Sequence, residues 1–328
     1  MRTILDRLAT EAPIWNAGML AGLAGPALTA AVCEHGGLGT LGLSALPESS
    51  LFERIEQTRH LTSRPFAANV ILSLSDGLEI EICMDARIAV LVLFDGDPQP
   101  WIRDAHRRDM FVVMQCGTVE DAIIAADLGV DAVIMQGLEA GGPVRARASL
   151  MDNLSLAARS LGRTVPVLAA GGLATGADAA AALREGAGAA VLGTRFLATQ
   201  EAEAAAVYKQ ALLRATAEDT EVTRTFSRDW PGMDHRVLRN AASDSPQVAE
   251  DATAPAPTRE EDAIGRIPWD SEHRLLFPQT YLPPTTAFDG DPEQLPWYAG
   301  TSVTGIDDLP AAGALMERLM LELRAAYR

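Results

Sequence analysis

The chain reads as an α/β protein, a (β/α)8 TIM barrel with a C-terminal irregular and helical addition over or beside the barrel mouth. Three observations lead there. Short apolar runs alternate with helical patterns through roughly the first 200 residues, the repeat that a barrel of parallel strands requires. These runs are too short for helices, and several close in glycine or turn residues, as buried parallel strands do. The length of 328 residues, with 48% hydrophobic composition, suffices for one barrel and an addition around a large core.

The most informative unit is VPVLAAGGLATGADAAAALREGAGAAVLGTRF, residues 165–196. Its apolar runs 165–170 and 189–192 end in Gly171-Gly172 and Gly193-Thr194. Between them the alanine-rich stretch 177–185 predicts a helix, with Thr175 as N-cap and Gly186 as its stop. Paired glycines let a ligand approach the backbone and leave N–H groups free beside a helix start, which is what an anionic phosphate needs. One pair would read as turn-making alone. Two pairs after successive strands favour phosphate.

The remaining elements follow in order. Strands are expected at 14–19, 37–42, 66–72, 88–94, 110–115 and 132–136, before the two strands just described. Helices are expected at 25–35, with Pro26 suited to its first turn, and at 47–60, 78–85, 101–108, from Thr118 as cap to 128, and at 149–161. Asp95-Gly96-Asp97-Pro98 reads as the turn that closes the fourth strand. Gly36-Gly37-Leu38-Gly39 enters a strand rather than leading from strand to helix, so it does not match a Rossmann fingerprint. A last barrel helix is expected at 201–217, completing a barrel of residues 1–217. Residues 218–305 read as an irregular subdomain. It contains an acidic, Pro/Ala-rich stretch at 243–262 that is expected to be a solvated loop. Residues 306–328 supply a closing helix. Whether this addition caps the mouth or packs beside it stays open at this level.

Composition narrows the partners. A net charge of −17 disfavours nucleic acid and anionic membrane surfaces. Cys33, Cys83 and Cys116 are odd in number and unpatterned, so they read as core residues rather than a disulfide framework or zinc site. No long apolar run and no leader pattern is present, and the expectation is a cytoplasmic protein. The single lysine, Lys209, falls on an outer helix, which disfavours a Schiff-base aldolase. No metal site is expected: Asp95 and Asp97 belong to a turn, Glu201 and Glu203 lack histidine partners, and neither GxSxG nor HExxH occurs.

Five stretches carry a resemblance: PVLAAGGLATGADAAAALREGAGAAVLGTRFLAT, MQGLEAGG, HGGLGTLG, LTSRPFAANVIL and LPWYAGTSVTGI. Together they resemble the FMN-dependent nitronate monooxygenases, formerly called 2-nitropropane dioxygenases, over nearly the whole chain. The most specific pieces are QGxEAGG and AAGG…LGTRF, in that order and spacing. Flavin-dependent enoyl reductases and NAD(P)H:quinone reductases share the scaffold, so the resemblance specifies cofactor better than reaction. It implies FMN, with phosphate and ribityl chain held by Gly141, Gly142, Gly171, Gly172, Gly193 and Thr194. It further implies that Ala17, Gly18 and Met19 pack against the flavin ring, and that the amides of Asn69 and Gln136 meet its polar edge. The position of Asn69 inside an apolar strand agrees, because a buried amide needs partners.

One position departs from the family pattern. After EAGG the family places a histidine thought to act as general base on a neutral nitroalkane, and here the residue is Pro143. Its side chain neither accepts nor donates a proton. The expected activity is therefore oxidation of already deprotonated alkyl nitronates with oxygen, with neutral nitroalkanes reacting poorly. Two alternatives stand beside it: an NAD(P)H-dependent reductase of a quinone or enoyl thioester, and a flavin-binding barrel with altered or lost catalysis. A lyase or isomerase without flavin is disfavoured by the lack of a lysine or carboxylate pair at strand ends. Among the histidines, His35 reads as a helix C-terminal residue, and His60 and His106 as surface residues of outer helices. His235 is the candidate catalytic substitute, against the ordinary expectation that a loop histidine is solvent-exposed. Arg145, with Arg147, is a candidate for attracting an anionic substrate or a nicotinamide phosphate, or is an ordinary solvated charge. The expected partners are a small-molecule substrate and oxygen, and a homo-oligomer is compatible with the chain.

Overall fold

The computed structural model describes residues 4–161, 164–244 and 259–327. In chain order its first strands are β1 (Ile14–Asn16), β2 (Thr40–Gly42), β3 (Ala67–Ile71), β4 (Val90–Phe94), β5 (Phe111–Cys116), β6 (Ala132–Gln136), β7 (Gly142–Val144), β8 (Val167–Ala170) and β9 (Ala190–Leu192). All but β7 form one parallel sheet of eight strands in the order β1-β9-β8-β6-β5-β4-β3-β2. A parallel bridge between Trp15 and Leu38 brings its two edges together, so the sheet is a nearly closed TIM barrel with helices between the strands. Its strands are apolar on both faces because both are covered. Trp15, Val90, Val92, Val113, Ile134 and Leu168 fill the interior, and alternate positions such as Leu91, Leu93, Val112 and Val133 meet the helices.

The local signals act as expected. The Thr118 hydroxyl accepts from the Asp121 N–H, and Thr175 forms a reciprocal capping box with Asp178. The first strand is shorter than expected, which leaves Ala17, Gly18 and Met19 in the loop beyond it. The helix expected at 201–217 is confined to Ala206–Leu212, with a separate turn at Thr194–Leu197. The physical reason is that residues 203–205 are drawn into extended pairing: Glu203 N bonds Leu23 O, Ala204 bridges Thr285, and Ala205 N bonds Pro284 O.

The C-terminal addition is more regular than its composition suggests. β10 (Thr220–Thr223), β11 (Asp234–Leu238) and a later β15 (Trp297–Tyr298) form an antiparallel sheet that β7 joins by pairing with β11. A second sheet contains β12 (Gly265–Trp269), β13 (Glu272–Leu276) and β14 (Asp289–Gly290). Residues 245–258, most of the expected acidic loop, lie outside the described residues. The closing helix Ala312–Ala326 buries Leu315, Met316, Leu319 and Leu323 against the helices Gly176–Arg184 and Pro26–Glu34. Among the described residues, no helix is long and apolar enough to cross a membrane, and no cluster of His, Cys, Asp and Glu could hold a metal.

Candidate active site

A cleft with an empty volume of about 760 Å³ opens at the C-terminal ends of the barrel strands. Barrels place ligands there because every strand-to-helix loop opens onto that face. Ala17, Gly18, Asn69, Gln136, Gly141, Pro143, Gly171, Gly172, Gly193 and Thr194 line it together, although they come from five different strand ends. Met19 and Gly142 line an adjoining pocket that shares Pro143 and also contains Tyr298. Arg145 lies outside the cleft, in a separate cavity with Asp95 and Asp121.

Sequence reasoning passed over Leu20, Phe94, Gln115 and Ser302, which also line the cleft. Gln115 had a readable signal, an amide near the end of a barrel strand, the same one that marks Gln136. Ser302 had no physical signal, because its place depends on how the addition folds back.

Backbone geometry explains the glycines. Gly142, Gly171 and Gly172 have φ of 85°, 112° and 74°, a region costly for residues with a β carbon. The N–H groups of Gly171, Gly172 and Gly193 donate to no backbone carbonyl among the described residues, so they remain available to an anion. A β carbon at Gly193 would meet only Ala17 Cβ, at 3.7 Å, so the space above this residue belongs to the cleft. At Gly141 the need is close approach: a β carbon there would lie 2.4 Å from Gly300 N. Gly300 N in turn donates to Thr194 Oγ1 at 3.0 Å. With Ser302 in the cleft wall, these contacts place the C-terminal addition over the barrel mouth, which the sequence left open.

The two strand-end amides are differently engaged. Asn69 Nδ2 donates to Val92 O at 3.0 Å, and Gly18 packs directly on its side chain, where a β carbon would lie 2.2 Å from Asn69 Cβ. Gln136 Nε2 donates to Pro143 O, and Gln136 Oε1 accepts from Arg145 N, both at 2.9 Å. Gln136 therefore also clamps the segment that carries Pro143. Arg145 pairs with Asp95 at 2.5 Å, and Asp95 accepts further hydrogen bonds from Ser73 Oγ and from Trp230 Nε1. Its charge is thus answered within the protein.

His235 is neither in a loop nor exposed. It sits on β11 directly opposite Pro143 on β7, with 0% exposure. Its ring stacks on Tyr298 at 5.7 Å and meets the edge of Trp230 at 5.8 Å. Desolvation by burial, opposed only by nearby Asp234, lowers its pKa from 6.5 to about 3. Between those values an unfolded chain binds a proton at this residue that the folded protein does not. Stability is expected to fall by up to about 1.4 kcal/mol per pH unit as pH drops from about 6.5 towards 3. Unfolding titrations of the wild type and of His235→Phe check this, since the variant should lose that share of the slope.

The cleft holds amides, hydroxyls and backbone dipoles, and no carboxylate, imidazole, thiol, amine or guanidinium among the described residues lines it. Such a wall can bind an anion and orient a polar ring, but offers no side chain to take a proton.

Comparison with known proteins identifies the family. A model of the nitronate monooxygenase family matches residues 2–87 and 77–322. Nitronate monooxygenase of Paraburkholderia phytofirmans is 30% identical over 302 residues, covering 78% of this chain and 80% of that protein. A (3aS,4S,5R,7aS)-5-hydroxy-7a-methyl-1-oxo-octahydro-1H-indene-4-carboxyl-CoA dehydrogenase of Rhodococcus jostii is 35% identical over 245 residues, 73% of this chain and 66%, just under two thirds, of that protein. The structure of FabK from Thermotoga maritima superposes with a TM-score of 0.82 at 29% identity, covering 100% of this chain and 97% of that one. With a family model that spans nearly its whole length and a barrel whose glycine loops converge on one cleft, the chain belongs to the nitronate monooxygenase family of oxidoreductase enzymes.

Proposed function

We propose that the protein is an FMN-dependent oxidoreductase that oxidises alkyl nitronates with oxygen. The observation that carries this reading is the cleft wall without a proton-accepting side chain, in which Pro143 occupies the position expected of a base. A site of this kind suits a substrate that arrives already deprotonated.

The residues present fit FMN. The N–H groups of Gly171, Gly172 and Gly193, which meet no backbone carbonyl among the described residues, suit its phosphate, and the space above Gly193, which a side chain would fill, suits the chain that leads from it. Gly18 and Ala17 form a wall without bulk on which a flat ring can lie, with Asn69 Oδ1 beside it. When bound, FMN supplies the two-electron chemistry and the reaction with oxygen. The protein orients the nitronate between Pro143 and the ring site and excludes bulk water through the covering segment with Ser302. Gln136 holds the Pro143 segment in place through both ends of its amide. The same reading places the enzyme in the cytoplasm, consistent with three buried, unpaired cysteines.

The deciding experiment is anaerobic. The absorbance of the purified flavin-loaded protein is recorded before and after addition of a pre-ionised alkyl nitronate and, separately, of NADH or NADPH. Bleaching by nitronate alone is the expected result. Bleaching by a nicotinamide alone would move the assignment to a reductase, and protein that neither carries nor takes up FMN would overturn the cofactor.

A further inference from the structure

The cleft does not end at Pro143. The adjoining pocket, with an empty volume of about 470 Å³, shares Ala17, Leu20, Pro143 and Thr194 with it and adds Met19, Leu23, Leu197 and Tyr298. The two spaces differ in chemistry. Asn69, Gln115, Gln136 and the Gly171-Gly172 turn line the cleft alone, so the groups that suit a polar ring and a phosphate stay on that side.

The polar groups of the added wall are already engaged. Leu23 N donates to Leu20 O at 3.2 Å, Leu197 N to Gly193 O at 2.9 Å, and the Tyr298 hydroxyl to Tyr281 O at 2.7 Å. Leu23 O accepts from Glu203 N at 3.0 Å. No charged side chain among the described residues lines the pocket. A chain of methylenes gains by entering such a space, whereas a charge would lose its water and find no partner.

The wall is also held in place. The loop that carries Met19, Leu20 and Leu23 turns through Ala21 and Gly22, at φ of 54° and 74°. It is pinned from outside: Ala21 N bonds Ser44 O, and Arg54 Nη2 donates both to Gly22 O at 3.0 Å and to Glu203 at 2.8 Å. Leu23 and Leu197, each 2% exposed, belong to the packed core behind the pocket, so they cannot retreat before a longer ligand.

We propose that this pocket is a tail subsite, in which Met19, Leu23, Leu197 and Tyr298 select substrates that carry an uncharged, apolar chain on the reacting carbon, up to a length set by Leu23 and Leu197. This rests on the nitronate reading and deepens it. Pro143 lines both spaces, so a nitronate carbon held beside it can face the ring site while its chain runs into the pocket.

The test is a chain-length series. For pre-ionised straight-chain nitroalkanes from nitroethane to 1-nitrooctane, oxygen consumption by the flavin-loaded enzyme should give a kcat/KM that rises about fourfold per methylene and then breaks. The rise should lie in KM, because a remote tail binds equally in ground and transition states. The nitronate of 4-nitrobutanoate should be at least about tenfold poorer than that of 1-nitropentane. Leu23→Ala should move the break to longer chains and Met19→Trp to shorter ones, whereas damage to the fold would lower every chain alike. Calorimetric titration with straight-chain primary alcohols reads the pocket without turnover, and their affinities should climb to a break that the two variants move in the same opposite directions. A break that neither variant moves would overturn the proposal, as would a carboxylate-tailed nitronate used as well as the alkyl one, or alcohol affinities independent of chain length. Should no nitronate be turned over, the nitronate reading fails and the alcohol series in the three proteins alone decides the tail subsite.

Discussion

Replacing Pro143 by histidine is expected to raise kcat/KM for neutral nitroalkanes by about 10²- to 10⁴-fold, the usual contribution of a positioned general base. Pro143 already faces the cleft, and no proton-accepting side chain among the described residues lines it. The backbone can take the change. Residue 143 lies on a strand, and the hydrogen bond from Gln136 uses its carbonyl, which any residue supplies. Preformed nitronates need no base, so their kcat/KM should change by less than about threefold. Parallel assays with neutral and pre-ionised forms of one nitroalkane measure both. An unchanged neutral rate in an enzyme that still turns over the nitronate would show that proton removal is not what the wild-type cleft lacks.

Gly193→Leu is expected to strip the protein of flavin while leaving its fold intact. The backbone at residue 193 has a negative φ of −97°, so a side chain brings no left-handed strain. Its β carbon would meet only Ala17 at 3.7 Å, and the rest of the leucine would extend into the space assigned to FMN. Affinity for FMN should fall at least about tenfold, or about 1.4 kcal/mol. The flavin-to-protein absorbance ratio after dialysis measures it, and apoprotein melting temperature serves as the control. Gly42 is the contrasting case, since a β carbon there would lie 2.0 Å from the Met19 carbonyl oxygen and damage the barrel itself. A Gly193→Leu protein that keeps wild-type flavin content would place the phosphate elsewhere.

The sequence by itself determined the barrel and most of the cleft. Each barrel strand is a short apolar run, and its alternation with helices is enough to set the order of the strands around the barrel. Convergence of the residues after those strands then follows from the fold, because all the loops open on one face. Gly171, Gly172 and Gly193 were legible for that reason, whereas Asn69 and Gln136 were singled out by the family resemblance; all five line the cleft.

Only the tertiary structure decided what surrounds Pro143. Gly142–Val144 has no strand pattern of its own and becomes a strand because β11, far along the chain, pairs with it. That pairing buries His235 instead of exposing it, and the return of residues 297–302 sets Tyr298 and Ser302 at the cleft. Arg145 turns to Asp95, and away from the cleft, for a similar reason: its partner closes a different barrel strand. Local periodicity reports which residues seek burial, but not which distant strand will cover them, and the chemistry beside Pro143 depends on that second choice.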